Sequence, residues 1–184
     1  HDVFRSHFLE QAIRSVLLQN YPNLEYIMMD GRSNDESGSI LQKYESFFSY
    51  CQSKPDSGQA DALRQGFEMA GGDILAWINA DDFYEPGAFK QIARFFMEHP
   101  QTVFVNGDVI QVSEDGTFNR KIYAMRPSHF FAANLGQHGW PQQGCFWRRT
   151  AYEAVGGIDA NFQFCMDLDL FTRLVDFGKG RRFS

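Results

Sequence analysis

The sequence lacks the features that define several protein classes. Its three cysteines, Cys51, Cys145 and Cys165, are far apart and include no CxxC pair. An odd number of separated cysteines predicts neither a disulfide framework nor a zinc site, and it fits a reducing compartment. No apolar run approaches the length of a membrane span, and no signal peptide is visible. The HExxH, GxSxG and P-loop motifs are also absent.

Basic residues are scarce as well. The chain has 17 Lys and Arg against 23 Asp and Glu, which gives a formal net charge of −6. Because nucleic-acid affinity comes mostly from clustered basic residues, this composition argues against a nucleic-acid partner. It still allows a small anionic ligand that is held by local groups or by a metal. Aromatic residues are plentiful at 16%, which predicts a packed interior or a ring-lined cleft.

Hydrophobic periodicity predicts alternating helices and strands. Helices are expected over 8–19, 40–48, 60–70, 86–98, 150–155 and 167–177, and strands over 24–29, 74–78, 102–112 and the segment "GCFWRR". Residues 52–59 are expected to form a loop and 113–141 an irregular region. Such alternation implies a mainly parallel sheet that is covered on both faces, with ligands at the carboxyl ends of its strands. With no internal repeat or linker, residues 1–184 are expected to form a single domain.

Two adjacent carboxylates, Asp81 and Asp82, follow the apolar run that begins at Ile74. They could simply form a turn before a helix, where the helix dipole favours acids. Neighbouring carboxylates repel unless a cation neutralises them, however, and oxygen ligands select Mg²⁺ or Mn²⁺. Such an ion usually bridges protein carboxylates to substrate phosphates. The pair therefore indicates a nucleotide or diphosphate ligand, and Asn79 adds a neutral oxygen beside it.

Asp30 ends another predicted strand and precedes Gly31 and Ser33. An Asx-type turn would explain this position. The alternative is a functional carboxylate that accepts hydrogen bonds from a base N–H or a ribose hydroxyl.

The segment "FQFCMDLDLFTRL" places two more acids at the start of the last helix. Asp169 and Arg173 are four residues apart, so we expect them to pair on the helix surface. Asp167 has Phe171 at that spacing and no such partner. It either matches the helix dipole or acts as a general base toward an incoming hydroxyl.

The irregular region is rich in Gly, His and aromatic residues. His138 is interpreted first as a loop residue, and as a metal ligand or acceptor contact second.

Taken together, three segments resemble the inverting family 2 glycosyltransferases of GT-A fold. The segments are "FLEQAIRSVLLQNYPNLEYIMMDGRSNDES", "KPDSGQADALRQGFEMAGGDILAWINADDFYEPGAF" and "GCFWRRTAYEAVGGIDANFQFCMDLDLFTRL". The resemblance implies an α/β fold with a mostly parallel, Rossmann-like sheet flanked by helices. It also implies a nucleotide-diphosphate sugar donor, a Mn²⁺ or Mg²⁺ cofactor and a glycan or lipid-linked acceptor in polysaccharide, glycolipid or glycan biosynthesis.

The resemblance also assigns roles to residues. Asp30 would contact the donor base, and the loop "KPDSGQADA" would flank the donor through Asp56, Gly58, Gln59 and Asp61. The DxD-like motif aligns with Asn79, Ala80 and Asp81, so that Asp81 would hold the metal with support from Asp82. Asp167 would be the general base, although Met166 stands where Glu is common in the family.

The resemblance further implies that the variable region over about 113–141 meets the sugar acceptor. Trp140, Phe130 and Phe131 could stack on sugar faces, and Gln142 and Gln143 could bind hydroxyls. Ordinary loop packing explains each of these residues equally well.

Two departures from the family shape the expected domain organisation. The family opens with a strand that ends in a "PTYN"-like turn, which this sequence lacks, so the chain is expected to be a fragment without its first strand. No QxxRW-type motif follows the last helix. Its absence argues against a processive polysaccharide synthase. Within one domain, a donor half is expected over about 1–112 and an acceptor and catalytic half over about 113–184. A cytoplasmic location, with peripheral membrane association allowed, completes the prediction.

Two other classes fit parts of the sequence. A receiver-type signalling domain also has paired acids and Mg²⁺, but the late "MDLDLF" helix does not fit it. A non-catalytic nucleotide-sugar binding module would retain the donor residues without the chemistry.

Overall fold

The structure, a computed structural model, describes residues 5–128, 139–162 and 164–183. The helices are α1 (Arg5–Leu17), α2 (Ser37–Tyr44), α3 (Gln59–Met69), α4 (Ala88–Glu98), α5 (Arg149–Ala154) and α6 (Met166–Phe177). The strands are β1 (Ile27–Asp30), β2 (Tyr50–Ser53), β3 (Ile74–Leu75), β4 (Thr102–Gly107), β5 (Val109–Val112), β6 (Phe118–Ile122), β7 (Cys145–Arg148) and β8 (Lys179–Phe183). None of the described helices has the length and apolar character needed to span a bilayer.

The chain divides into two compact units. The first contains the described residues within His1–Gly72, Trp77–Phe95 and Ala160–Gln163, and the second those within Asp73–Ala76, Phe96–Asp159 and Phe164–Ser184.

In the first unit, strands β1 and β2 pair in parallel. Helices α1 and α2 bury Leu9, Ile13 and Leu41 in a shared core, against which Tyr26 and Met28 pack from the β1 side. Because parallel strands end on the same edge, this pairing sets the end of β1, Asp30, opposite the end of β2, Ser53.

The second unit is built on a four-stranded sheet with the order β3-β7-β4-β8. Strand β7 is antiparallel to both of its neighbours, and β4 pairs in parallel with β8. The fully buried side chains of Phe104, Trp147 and Phe171 form its aromatic core, with ring centroids 5.2 to 5.7 Å apart. A separate antiparallel hairpin joins β5 and β6.

The α/β architecture agrees with the sequence prediction, but the strand pairing is mixed. Two of the five pairings between described strands are parallel, rather than most of them. Strand β7 is the reason, since it inserts antiparallel between β3 and β4.

Several element boundaries also differ from those expected. The helix expected from residue 86 begins at Ala88, because Gly87 adopts a φ of +82° that does not belong to a right-handed helix. The strand expected over 74–78 pairs with β7 only at Ile74 and Leu75. Strands β2, β6 and β8 lie in segments where no strand was predicted.

Candidate functional site

Asp30 is held at the carboxyl edge of the β1–β2 sheet by two serines. Its Oδ1 atom accepts a hydrogen bond from Ser33 Oγ at 2.6 Å and from Ser33 N at 3.2 Å. Its Oδ2 atom accepts one from Ser53 Oγ at 2.5 Å. The expected local turn around Asp30 is therefore present, and Ser53 adds a link that depends on strand register and has no signal in the local sequence.

Asp56 lies against the residue that follows Asp30. Its Oδ1 atom accepts a hydrogen bond from the Gly58 N–H at 2.9 Å. A Cβ atom on Gly31 would stand 2.9 Å from Asp56 Oδ2, so the Asp56 carboxylate lies close to the backbone of Gly31. Gly58 itself has a φ of +114°, a conformation that favours glycine, and α3 begins directly after it. The structure therefore brings Asp30 and Asp56, expected together from the sequence, to one edge.

Asp61 instead faces its own helix. It accepts hydrogen bonds from Arg64 at 2.9 Å, from Gln65 at 2.9 Å and from the Ser57 N–H at 3.3 Å. The hydrogen bond from Arg64, followed by that from Ser57, lowers the pKa of the Asp61 carboxyl. These contacts stabilise the start of α3, and a role for Asp61 in donor binding stays a prediction.

A chain of side-chain hydrogen bonds organises the turn after β3. Gln59 Nε2 donates to Asn79 Oδ1 at 2.8 Å, and Asn79 Nδ2 donates to Asp82 Oδ2 at 3.1 Å. The Asp82 N–H donates to the Asn79 carbonyl at 3.2 Å and closes the turn. Ala80 lies between them and packs on the core of the first unit. The amide of Asn79 is thus oriented by its neighbours on both sides.

Asp81 differs from the acids described above, each of which accepts hydrogen bonds from neighbouring residues. Its side chain is exposed, and the described part of the chain gives its carboxylate no hydrogen bond or ion pair. Asp82, next to it, is half-buried and engaged by Asn79. The turn therefore presents one carboxylate that is fully available to a ligand.

The donor set at this turn fits a hard divalent cation that is completed by its substrate. Asp81 and Asp82 supply carboxylate oxygens, which Mg²⁺ and Mn²⁺ prefer. Among the described residues, no group of three or more His, Cys, Asp or Glu side chains forms a metal cage. Ions of the Mg²⁺ type are commonly held by one or two carboxylates together with substrate phosphates, so an incomplete protein site of this kind is suitable.

At the start of α6, Asp169 and Asp167 differ as the sequence predicts: Asp169 pairs with an arginine and Asp167 does not. Arg173 Nε donates to Asp169 Oδ2 at 3.1 Å, which confirms the expected pair. Arg173 also donates to the carbonyl oxygens of Val155 at 2.7 Å and Gly157 at 2.8 Å. Arg173 therefore ties the start of α6 to the segment after α5.

Asp167 is half-buried and accepts one hydrogen bond, from the Leu168 N–H at 2.9 Å. It lies close enough to Cys145 to contribute to that residue's electrostatics. Burial, with a smaller contribution from the Asp167 charge, raises the pKa of the Cys145 thiol well above its usual value. Asp167 is thus the acid of the α6 start that no cation engages within the described residues.

The expected acceptor residues lie in or beside the core of the second unit. Trp140 is 4% exposed, and its ring packs edge-on against Phe104 at 5.9 Å. Gln142 is buried and Gln143 half-buried, both in the short turn Gln142–Gly144 before β7. An acceptor role for these three residues stays a prediction. Phe130, Phe131 and His138 lie outside the described residues.

Comparison with known proteins identifies the family. The sequence profile of glycosyl transferase family 2 matches residues 4–155. An uncharacterized glycosyltransferase of Mycobacterium tuberculosis is 29% identical over 172 residues, which are 90% of this chain and 63% of that protein. The chain therefore belongs to glycosyl transferase family 2, and it spans less than two thirds of that relative.

Solved structures show the same fold at low sequence identity. Staphylococcus aureus TarS 1–349 in complex with UDP superimposes with a TM-score of 0.77 at 12% identity, covering 98% of this chain and 55% of that one. The mannosyltransferase PcManGT of Pyrobaculum calidifontis, in complex with GDP-Man and Mn²⁺, gives 0.71 at 18% identity, covering 97% and 51%. These neighbours confirm the predicted GT-A fold, and the family match sets aside the receiver-domain alternative.

Proposed function

We propose that this chain transfers a sugar from a nucleotide-diphosphate sugar to an acceptor hydroxyl, with inversion and with the help of a divalent metal ion. The observation that carries the proposal is the exposed carboxylate of Asp81, which no described residue engages, beside the hydrogen-bonded chain Gln59–Asn79–Asp82. Asp30 and Asp56 lie in the same unit. Membership of family 2 and the nucleotides named for TarS and PcManGT support the same assignment.

The first unit would bind the donor. Asp30 and Asp56 would accept hydrogen bonds from the base or the ribose, and Gly58 would keep the loop open to the nucleotide. Asp81, with support from Asp82, would hold Mg²⁺ or Mn²⁺. When bound, such an ion supplies Lewis-acid stabilisation of the charge on a leaving diphosphate.

Asp167 would take the proton from the acceptor hydroxyl as that hydroxyl attacks the anomeric carbon. Its carboxylate is engaged by one backbone N–H and by no described cation, so it retains lone pairs for this task. A single displacement on the face opposite the leaving group inverts the configuration.

The acceptor would be a glycan or a lipid-linked sugar in polysaccharide, glycolipid or glycan biosynthesis in the cytoplasm. Trp140, Gln142 and Gln143 are the candidate contacts. In this proposal the chain acts as one domain, with a donor half over about 1–112 and an acceptor half over about 113–184.

A two-stage experiment tests the proposal. Nucleotide sugars are screened by thermal shift with and without Mn²⁺, since a ligand that binds the folded state raises the apparent stability. Any stabilising donor is then followed for release of nucleoside diphosphate. Mn²⁺-dependent stabilisation with release supports a transferase, whereas stabilisation without release over long incubation would indicate a non-catalytic binding module. No stabilisation by any nucleotide sugar would contradict the proposal.

A further inference from the structure

One face of the β5–β6 hairpin exposes large apolar side chains. Residues that face each other in an antiparallel pair point to the same side of the sheet. Ile110 is opposite Lys121, and Val112, after a register shift at Gln111, is opposite Phe118. Residues 110 and 112 share a side because they are two positions apart, and the shift brings Phe118 and Lys121 to that side although they are three positions apart. Ile110 is 46% exposed and Phe118 is 64% exposed. The outer face of a solvated sheet is usually polar, so this face differs from an ordinary surface.

The same face carries cations arranged around a tyrosine. Lys121 Nζ lies 5.1 Å from the centre of the Tyr123 ring, and Arg182 Cζ lies 5.9 Å from it. The Tyr123 ring is 64% exposed. We name this surface, formed by Ile110, Val112, Phe118, Lys121, Tyr123 and Arg182, the basic aromatic face.

Asp108 holds the cations of the face in place. Its carboxylate lies 3.0 Å from Lys121 Nζ and 2.9 Å from an Arg182 guanidinium nitrogen, and it accepts the Ala124 N–H at 3.0 Å. Burial alone would raise the pKa of Asp108, but the hydrogen bonds from Lys121, Ala124 and Arg182 hold it below its usual value. Asp108 has only 10% of its side chain exposed, so one inner acid orients two outer cations.

The charge of the surrounding segments is positive overall. The hairpin segment 108–126 contains three basic and three acidic residues, and the segment 179–183 adds three basic residues and no acid. In a chain with a net charge of −6, the segments that form the basic aromatic face therefore carry an excess of basic residues.

We propose that the basic aromatic face docks on the surface of an anionic lipid bilayer. Lys and Arg are attracted to anionic headgroups, and aromatic rings favour the interface between headgroups and acyl chains. A second copy of the chain fits less well, because a twofold contact through this face would bring Lys121 and Arg182 of both copies together.

Vesicle co-sedimentation tests the proposal without any donor or acceptor, so its result is independent of sugar transfer. The chain is mixed with neutral phosphatidylcholine vesicles and with vesicles that also contain phosphatidylglycerol. We expect binding to the anionic vesicles alone, weakened by salt because the attraction is screened. Lys121→Gln should weaken the partition about fivefold, the loss expected for one cation near such a surface. Phe118→Ser should weaken it as well.

The first unit offers matched controls. Lys43 is an exposed lysine paired with Glu10 at 2.7 Å, and Phe47 is 59% exposed. Lys43→Gln and Phe47→Ser should leave vesicle binding unchanged, and thermal melting should confirm that all four variants fold. Equal binding to neutral vesicles, or equal losses in the control variants, would overturn the proposal. Absence of vesicle binding would overturn it too and would leave an acidic protein as the next partner to examine.

Discussion

The two pairs of acids in this molecule are built on the same plan but in different surroundings. In the turn after β3, Asn79 engages Asp82, while no residue in the described part of the chain engages Asp81. At the start of α6, Arg173 engages Asp169 and leaves Asp167 with one backbone N–H. Each pair therefore has one carboxylate that fixes local structure and one that remains available for chemistry.

The two available carboxylates, Asp81 and Asp167, differ in their exposure to solvent. Asp81 is exposed on a turn, where a hydrated ion and a diphosphate can approach it. Asp167 is half-buried on the first turn of a 12-residue helix and lies near the buried thiol of Cys145. An exposed acid suits a ligand that brings its own charge, and a partly buried acid suits proton transfer in a less polar environment. The difference supports assigning the metal to Asp81 and the base to Asp167.

Asp81→Ala should have the largest effect. Removing this exposed carboxylate, which has no partner among the described residues, should abolish Mn²⁺-dependent nucleotide binding, measured by calorimetry with nucleoside diphosphate. Asp73→Ala, a change to an exposed acid before β3, is the control and should bind normally. Unchanged affinity of Asp81→Ala would contradict the metal assignment.

Asp167→Asn should lower turnover roughly 10²–10⁴-fold, the usual contribution of positioned proton transfer, while donor binding survives. Steady-state transfer assays measure turnover, and calorimetry on the same preparation measures donor binding. Asp169→Asn serves as the comparison, because it should lower the melting temperature through loss of the Arg173 contact and keep most of the rate. Full activity of Asp167→Asn would show that another group is the base.

Arg173→Gln should reduce the free energy of unfolding by about 1–3 kcal/mol, because Arg173 donates to Asp169 and to two backbone carbonyls that would lose their charged partner. Arg64→Gln removes two ion pairs at the surface of α3, those with Asp61 and Glu68, and should cost less than Arg173→Gln. Urea denaturation measures the free energy of unfolding of both variants. Equal losses would mean that the backbone contacts of Arg173 add nothing.

Gln59→Ala should have the smallest effect on the site. It removes the hydrogen bond that orients the Asn79 amide, so Mn²⁺-dependent nucleotide affinity should fall roughly tenfold, as for other residues that position metal ligands. Gln52→Ala, on the neighbouring strand β2, controls for loss of a nearby amide. A full loss, equal to that of Asp81→Ala, would show that Gln59 itself contacts the nucleotide or metal.

The sequence predicted the parts of this structure that depend on local pattern. The helical spacing located α1, α3 and α6, and the four-residue spacing of Asp169 and Arg173 predicted their ion pair. The family resemblance, which rests on ordered segments, predicted the GT-A fold. The acidic position at the end of β1, Asp30, also followed from a local strand signal, whereas Asp81 lies in a turn beyond the short strand β3.

Features that depend on distant partners were not predictable. Strand β8 reads "KGRRF", which has no strand pattern, and it forms because β4 offers a parallel edge. The link from Ser53 to Asp30 requires the β1–β2 register, and Asp56 approaches Gly31 from a separate segment of the chain. The burial of Trp140 against Phe104 depends on core packing, so its ring could not be distinguished from an exposed stacking platform.

The most direct test is a crystal of the protein grown or soaked with Mn²⁺ and a nucleoside diphosphate, with anomalous scattering recorded to locate manganese. We expect an ion bound to an Asp81 oxygen and to the diphosphate, at about 2.0–2.2 Å from its oxygen ligands. A nucleoside diphosphate bound in the first unit with no ion beside Asp81 would contradict the account.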